Sequence, residues 1–146
     1  MRSGTENVAG IIGVAKALAI ASSMRESEAA RLRELREMFI QRVISLPIDV
    51  TVNGSQRNRL PNNVHVTLTG FDNERILIGL DTLGVMAAAG SACSASSDEP
   101  SHVLKAMGIT DDAARSSLRF TFGRTTTKKH IEQIVAALAK VVADER

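Results

Sequence analysis

The sequence predicts an α+β domain in which helices pack on one face of a small, mostly antiparallel sheet. Two segments alternate apolar and polar residues as half-buried strands do, NVHVTLTG at 63–70 and SLRFTFG at 117–123. Longer segments around them repeat apolar residues at helical intervals. The predicted order is two helices, two strands, a helix, a strand, a helix, a strand and a final helix, which suits this class.

The chain before Pro47 predicts two helices. Ser3 and Glu6 stand at capping-box spacing ahead of the apolar run of the first helix. After Ser22 and Ser23 the composition turns charged, and a second helix carries an apolar stripe between Arg and Glu residues. Pro47 is expected to end this second helix.

The remaining elements are short strands and helices bounded by Gly and Pro residues. They are, in order, a strand at 49–54, the strand at 63–70, a helix at 72–84 with Gly84 past its end, a short buried strand at 85–90, a helix at 99–108 with Pro100 in its first turn, the strand at 117–123 and a helix at 125–142. The polar connection at 55–63 is the one expected to be long enough to move. We predict a single domain over 1–146.

Composition excludes several classes of function. The 146 residues, 44% of them hydrophobic, are enough for one core without a disulfide or a metal. With 18 basic and 16 acidic residues mixed along the chain, and with no Trp or Tyr, we expect no nucleic acid partner. We find no apolar run near the roughly 20 residues of a membrane span and no signal peptide, and therefore expect a cytoplasmic protein without a membrane partner.

The segment GSACSASS at 90–97 holds the chain's single cysteine, Cys93. A lone cysteine in an intracellular protein is most often a small core residue. Here the neighbouring Gly, Ser and Ala residues offer little apolar area to bury it, which favours an exposed loop thiol that can act as a nucleophile or carrier. One cysteine also excludes an internal disulfide and a CxxC site.

Arginine and threonine residues supply two further candidate sites. Arg119 lies on the polar side of the strand at 117–123, where a guanidinium can grip a carboxylate with two parallel hydrogen bonds. A solvated arginine on an open sheet face explains that position equally well. Gly4 and Thr5 can present N–H groups and a hydroxyl to a phosphate, and plain helix capping explains them as well.

Histidine offers no metal site. His65, His102 and His130 have no acidic or cysteine partner at ligand spacing, so we expect all three to be surface or packing residues.

Four blocks, in order, resemble the C-terminal part of a pyridoxal-phosphate cysteine desulfurase, a class V aminotransferase of the aspartate-aminotransferase-like fold. They are RSGTENVAGIIG at 2–13, RLPNNVHVTL at 59–68, LDTLGVMAAAGSACSASSDEPSHVLKAMG at 80–108 and SSLRFTFGRTTT at 116–127. GSACSAS followed by EPS resembles the family's long mobile-loop form. The resemblance implies the small C-terminal domain of that fold.

The resemblance also implies roles for the candidate residues. Cys93 matches the nucleophile that attacks the thiol of L-cysteine bound as an imine on the cofactor, leaving L-alanine and a persulfide on Cys93. An iron-sulfur scaffold or another acceptor protein then takes the sulfur for iron-sulfur clusters or thiolated tRNA. Arg119 matches the arginine that binds the substrate carboxylate. Thr5 matches the residue that reaches the cofactor phosphate of the neighbouring subunit, which implies a homodimer. Arg124 matches no clear role and is expected to be structural.

One departure from the family limits this reading. The family's Schiff-base lysine lies in a large N-terminal domain, and none of the chain's lysines stands in that motif; they are Lys16, Lys105, Lys128, Lys129 and Lys140. We therefore expect the C-terminal part of a larger enzyme, without its cofactor domain and inactive alone. Two alternatives stay open: a free-standing sulfur-carrier or scaffold module, and a related lyase or aminotransferase in which Cys93 is incidental.

Overall fold

The computed structural model describes residues 4–89 and 100–145. Its helices and strands are α1 (Val8–Ile44), β1 (Val50–Val52), β2 (Asn63–Leu68), α2 (Asn73–Thr82), α3 (His102–Ala106), α4 (Asp111–Arg115), β3 (Ser117–Thr121) and α5 (Lys128–Asp144). The strands form one sheet in the order β1-β2-β3, and both pairs are antiparallel. The predicted α+β class and antiparallel sheet are confirmed.

Alternation along β2 and β3 gives the sheet two chemically different faces. The apolar face consists of side chains paired across the strands, such as Val64 with Phe120 and Val66 with Leu118. The polar face consists of Asn63, His65, Thr67, Ser117, Arg119 and Thr121. Strand side chains point alternately to opposite faces. This register therefore places the apolar side chains on one face of the sheet and the polar side chains, including the candidate site residue Arg119, on the other.

The core lies between the apolar face and α1, α2 and α5. Phe39 of α1 is fully buried, and its ring centroid lies 4.8 Å from that of Phe120 and 5.4 Å from that of Phe122. Tilted and edge-to-face ring pairs of this kind add to the free energy that burial supplies. These aromatic contacts fix the C-terminal half of α1 against the sheet.

The chain before Pro47 forms one continuous helix of 37 residues, so the prediction of two helices there was wrong. The hydroxyl of Ser23 donates to the carbonyl of Ile20 at 2.9 Å, so this serine is accommodated inside the helix. A change from apolar to charged composition alters which surface the helix meets without breaking its hydrogen bonds. The cap is also different, since the Asn7 side chain accepts from the Gly10 N–H and the helix begins at Val8.

Two further predictions were wrong in the region after Gly84. The segment at 85–89 forms no strand among the described residues, only a single antiparallel bridge between Ala88 and Arg119, and Met86 is 90% exposed. Pro100 precedes the cap Ser101 instead of lying in the first turn of α3. The bridge is too short to bury the segment as a strand.

The short helix α4 was missed by the sequence analysis. Its signals are readable: Thr110 caps it by accepting from the Ala113 N–H, and two aspartates occupy its first turn. The helix predicted at 72–84 is confirmed as α2, which Asp72 caps and which the left-handed Gly84, with φ of 74°, follows as predicted.

The N-terminal half of α1 is exposed along its length, since every residue from 8 to 27 is exposed in the described chain. Its exposed large apolar side chains are Val8, Ile11, Ile12, Val14, Leu18, Ile20 and Met24. An 18-residue window of α1 has a mean hydropathy of 1.4, so by length and composition this helix could cross a membrane, although we expected no apolar run near such a span. A helix half that packs against protein passes the same test, so this finding does not by itself indicate a membrane.

We predict that the chain self-associates through this half of α1. Contiguous exposed apolar surface of this kind is typical of an interaction site. Leu18→Glu, at a side chain 68% exposed, should reduce the sedimentation coefficient measured at high concentration without lowering the melting temperature. Ile78→Glu is the matched control, because Ile78 is 67% exposed on α2. A clean monomer at high concentration, or equal effects of both variants, would contradict the prediction.

A second prediction tests the contact between α2 and α5. A Cβ at Gly79 would lie 2.6 Å from Cγ1 of Val141, so Gly79→Ala should lower the free energy of unfolding by about 1–2 kcal/mol. With Val141→Ala the clash disappears, and the same change should raise stability by up to about 1 kcal/mol, because alanine favours helix over glycine. Urea unfolding of the double-mutant cycle measures the reversal. Additive effects would refute the contact.

Candidate functional site

Arg119 lies at the centre of the candidate site because both edges of its strand are paired there. On one side it is the register partner of His65 in β2. On the other, its N–H donates to the Ala88 carbonyl at 2.7 Å, and its carbonyl accepts from the Ala88 N–H at 3.0 Å. Ala88 stands five residues before Cys93 in the sequence. The backbone that leads toward the cysteine segment is therefore fixed against Arg119.

The Arg119 side chain is exposed on the polar face. No hydrogen bond or ion pair of its guanidinium is found among residues 4–89 and 100–145. Guanidinium groups bind planar anions through two parallel hydrogen bonds. A guanidinium on an open sheet face, with no carboxylate of the described chain bound to it, is able to bind such an anion.

A chain of side-chain hydrogen bonds runs beneath the polar face. Asn53 Nδ2 lies 2.9 Å from His65 Nδ1 and 2.8 Å from Thr67 Oγ1. Thr67 Oγ1 lies 2.8 Å from Ser117 Oγ, which donates to the Ala113 carbonyl of α4 at 2.6 Å. Asn53, Thr67 and Ser117 are all buried, so each of these bonds offsets the cost of burying a polar group.

The carbonyl of Ala113 determines which group donates in each hydrogen bond of this side-chain network. Because that oxygen only accepts, the Ser117 hydroxyl donates to it and must accept from Thr67. Thr67 in turn accepts from the amide nitrogen of Asn53, and the same nitrogen donates to Nδ1 of His65. A ring whose Nδ1 accepts is neutral and carries its proton on Nε2.

His65 is therefore held as a neutral donor. Burial lowers its pKa most, and the positive charges of Arg119 and Arg59 lower it further, to about 4. No hydrogen bond to Nε2 of His65 is found within the part of the chain that the structure describes. Within the described ranges this N–H thus has no partner, on a residue that is the register partner of Arg119.

Two arginines tie the connection between β1 and β2 to the rest of the domain. Arg59 donates to the backbone carbonyls of Asn53 and Ser55, and burial lowers the pKa of its guanidinium. Arg36 of α1, itself buried, donates to the Leu60 carbonyl at 3.2 Å. These contacts position Asn53, the start of the hydrogen-bonded chain.

The structure does not unite all the residues singled out from the sequence. Cys93 lies outside the described residues. Gly4 and Thr5 precede α1 and are exposed, and no hydrogen bond in the described ranges joins Thr5 to the polar face. Arg124 is exposed, and its backbone carbonyl accepts from Arg31 at 3.2 Å in the turn before α5.

Sequence reasoning missed the buried network and the role of His65 in it. The polar residues at alternate positions of β2 and β3 were visible, but the network depends on Asn53, which lies beyond the end of β1. His102 and His130 are exposed as expected. Within the described chain no group of His, Cys, Asp or Glu residues could hold a metal ion.

The described residues do not form a complete site for pyridoxal phosphate. All five lysines are exposed on helices, and Lys105 forms an ion pair with Asp111 at 3.6 Å. A lysine that forms a Schiff base in this type of enzyme needs an enclosed environment that lowers its pKa.

Comparison with known proteins gives a consistent result. The family model of aminotransferase class-V matches residues 1–134. A protein named cysteine desulfurase IscS from Dictyoglomus turgidum is 45% identical over 141 residues, covering 97% of this chain and 36% of the relative. Cysteine desulfurase IscS 1 from Archaeoglobus fulgidus is 39% identical, covering 97% of this chain and 37% of the relative.

A solved structure shows the same fold. The NifS-like protein from Rickettsia africae superposes with a TM-score of 0.82 at 29% identity, covering 97% of this chain and 36% of that one. The chain thus spans about a third of the length of the relatives and of the solved structure that it matches.

The neutral state of His65 predicts a pH dependence of stability. Its folded pKa of about 4 lies below the ordinary value of 6.5. Below pH 6.5 the unfolded chain gains a proton that the folded chain does not, so the free energy of unfolding falls until about pH 4. Thermal unfolding across this window should show a smaller fall for His65→Gln than for the wild type. His130→Gln, at an exposed site, should fall as the wild type does; equal slopes for all three would contradict the prediction.

Proposed function

We propose, since this chain belongs to the aminotransferase class-V family, that it is the C-terminal part of a pyridoxal-phosphate cysteine desulfurase. The observation that carries the proposal is Arg119 on the polar face, whose guanidinium has no partner among the described residues, with Ala88, five residues before Cys93, paired to it. The names of the relatives support the same activity. They do not favour the free-standing sulfur-carrier alternative or the lyase alternative.

The proposed reaction transfers the sulfur atom of L-cysteine to the thiol of Cys93. The bond between the substrate's Cβ and sulfur breaks, a sulfur-sulfur bond forms at Cys93, and Cβ gains hydrogen, so the products are L-alanine and a Cys93 persulfide. The sum balances without an external oxidant. The persulfide is then available to an iron-sulfur scaffold or another sulfur acceptor.

Arg119 has the proposed role of binding the carboxylate of L-cysteine. Ala88 pairs with Arg119 and stands five residues before Cys93, and five residues of chain reach at most about 18 Å. This length of chain is compatible with the proposed roles of Arg119 and Cys93 at one substrate. In such a grip Arg119 orients the substrate, which lowers the entropic part of the barrier.

Pyridoxal phosphate supplies the electron sink that the chemistry at Cβ needs when it is bound. Because the described lysines do not fit its attachment, we assign that lysine to polypeptide outside this chain, in a large domain that precedes it. Thr5 is proposed to contact the cofactor phosphate of the neighbouring subunit in a homodimer. Its exposure before α1 is compatible with a contact outside this chain.

The same proposal accounts for the exposed apolar half of α1 and predicts where the protein is located in the cell. We propose that the large domain covers this apolar surface in the complete enzyme. We also propose a cytoplasmic location, since a chain with a single cysteine that works as a free thiol suits a reducing compartment.

A chimera tests the proposed function. This chain would replace the 141 matching residues of the Dictyoglomus turgidum relative, whose own activity is the positive control. We expect the chimera to form L-alanine from L-cysteine, and Cys93→Ser to abolish persulfide formation. Arg119→Gln should lower kcat/KM about 10- to 100-fold, as expected for loss of a charged hydrogen bond.

The control variant is His130→Gln, which should match the parent chimera because His130 is exposed on α5. A chimera that folds and absorbs as a pyridoxal-phosphate protein but forms no alanine would refute the proposal. Full persulfide formation in Cys93→Ser would refute the role of Cys93 alone.

A further inference from the structure

We propose that His65 is a second, neutral hydrogen-bond donor of the carboxylate subsite that Arg119 forms. This inference rests on the proposed function, because it takes Arg119 as the group that binds the substrate carboxylate. It adds a residue of β2 to a site otherwise assigned to β3 and to the cysteine segment. The ligand class is a small amino acid with a free carboxylate.

The backbone places His65 and Arg119 in the closer of the two kinds of antiparallel pair. Both the N–H and the carbonyl of Arg119 bond to Ala88, so they point away from β2. The carbonyl of His65 correspondingly accepts from Asn53, on the side of β1. The two residues are therefore a non-hydrogen-bonded pair, whose Cα atoms lie about 4.5 Å apart and whose side chains meet.

Both side chains present donors, and neither donor is occupied within the described ranges. The guanidinium of Arg119 and Nε2 of His65 have no described hydrogen-bond partner, and no carboxylate of these ranges forms an ion pair with Arg119. A carboxylate has about four lone-pair sites, more than one bidentate arginine uses. A carboxylate can therefore accept from the Arg119 guanidinium and from Nε2 of His65 at the same time.

The hydrogen-bonded chain to Ala113 makes His65 a permanent donor at Nε2. Asn53 occupies Nδ1 as a donor, which is incompatible with a proton on that atom. A neutral ring also adds a hydrogen bond without placing a second full positive charge beside Arg119. A packing role would need only the contact at Nδ1 and would not require a free N–H beside the guanidinium.

The first test is ¹⁵N NMR of the chain at pH 7. The ring nitrogens of His65 should show the neutral Nε2–H form, and an imidazolium or an Nδ1–H ring would overturn the proposal. Acetate, the simplest carboxylate probe, is then titrated at constant ionic strength against chloride. The His65 ring and the Arg119 Nε–H should shift together, with one apparent Kd.

Two variants of His65 distinguish hydrogen-bond donation by its ring from a role in packing alone. His65→Gln keeps a neutral N–H and should bind acetate within about 3-fold of the wild type, whereas His65→Val should bind about 5- to 10-fold more weakly. His130→Gln is the matched control. Equal binding by the His65→Val variant would overturn the proposal; if that variant fails to fold, the wild-type shifts still decide.

The outcomes distinguish this inference from the proposed function. A shift at Arg119 without one at His65 overturns the role of His65 and leaves the carboxylate role of Arg119 intact. No shift at either residue overturns both the subsite and the role assigned to Arg119. In that case the alanine assay on the chimera still tests the desulfurase activity itself.

Discussion

The structure depends above all on the register between β2 and β3. That register pairs Val64 with Phe120 and His65 with Arg119. Since the side-chain period of a strand is two, a slip by one residue would turn the apolar residues toward solvent and the polar ones toward α1. The register of β2 and β3 therefore determines both the packing of the core and the position of the candidate site residues. The burial of Phe39 against Phe120 indirectly holds Arg119 where a ligand can reach it.

The polar network reinforces that register from the other face. Thr67 and Ser117 are register partners, and their hydroxyl groups bond to each other under the sheet. Each neutral bond adds only about 0.5–1.5 kcal/mol, but a buried hydroxyl without its partner would cost about 1–3 kcal/mol. The asymmetry penalises a shifted pairing more than it rewards the correct one. The network therefore contributes more to the selection of the correct strand register than to the free energy of folding.

Much of the fold was predictable because its signals are local. The alternation of β2 and β3, the cap of α2 at Asp72 and the period of α5 all lie within short windows. The continuity of α1 was not predicted, because a change in surface character resembles a boundary. The bridge at Ala88 was overestimated as a strand, since a run of small apolar residues fits several structures.

The candidate site was only partly predictable. Arg119 was visible from alternation alone, whereas the network joins Asn53 to residues 12, 14 and 64 positions away, and no local pattern carries that information. The roles proposed for Cys93 and Thr5 depend on the resemblance to a family, because Cys93 lies outside the described residues and no described contact of Thr5 indicates a ligand.

The unequal packing of α1 has a consequence for how the chain opens. At about 1.5 Å per residue the helix is about 55 Å long, yet only its C-terminal half shares the core through residues such as Leu35 and Phe39. The amide protons of that half should exchange with solvent only when the domain unfolds as a whole. Those of the other half depend on helix propensity alone and should exchange through local fraying. One helix thus belongs to two cooperative units, and a partner that covers its first half would join them into one.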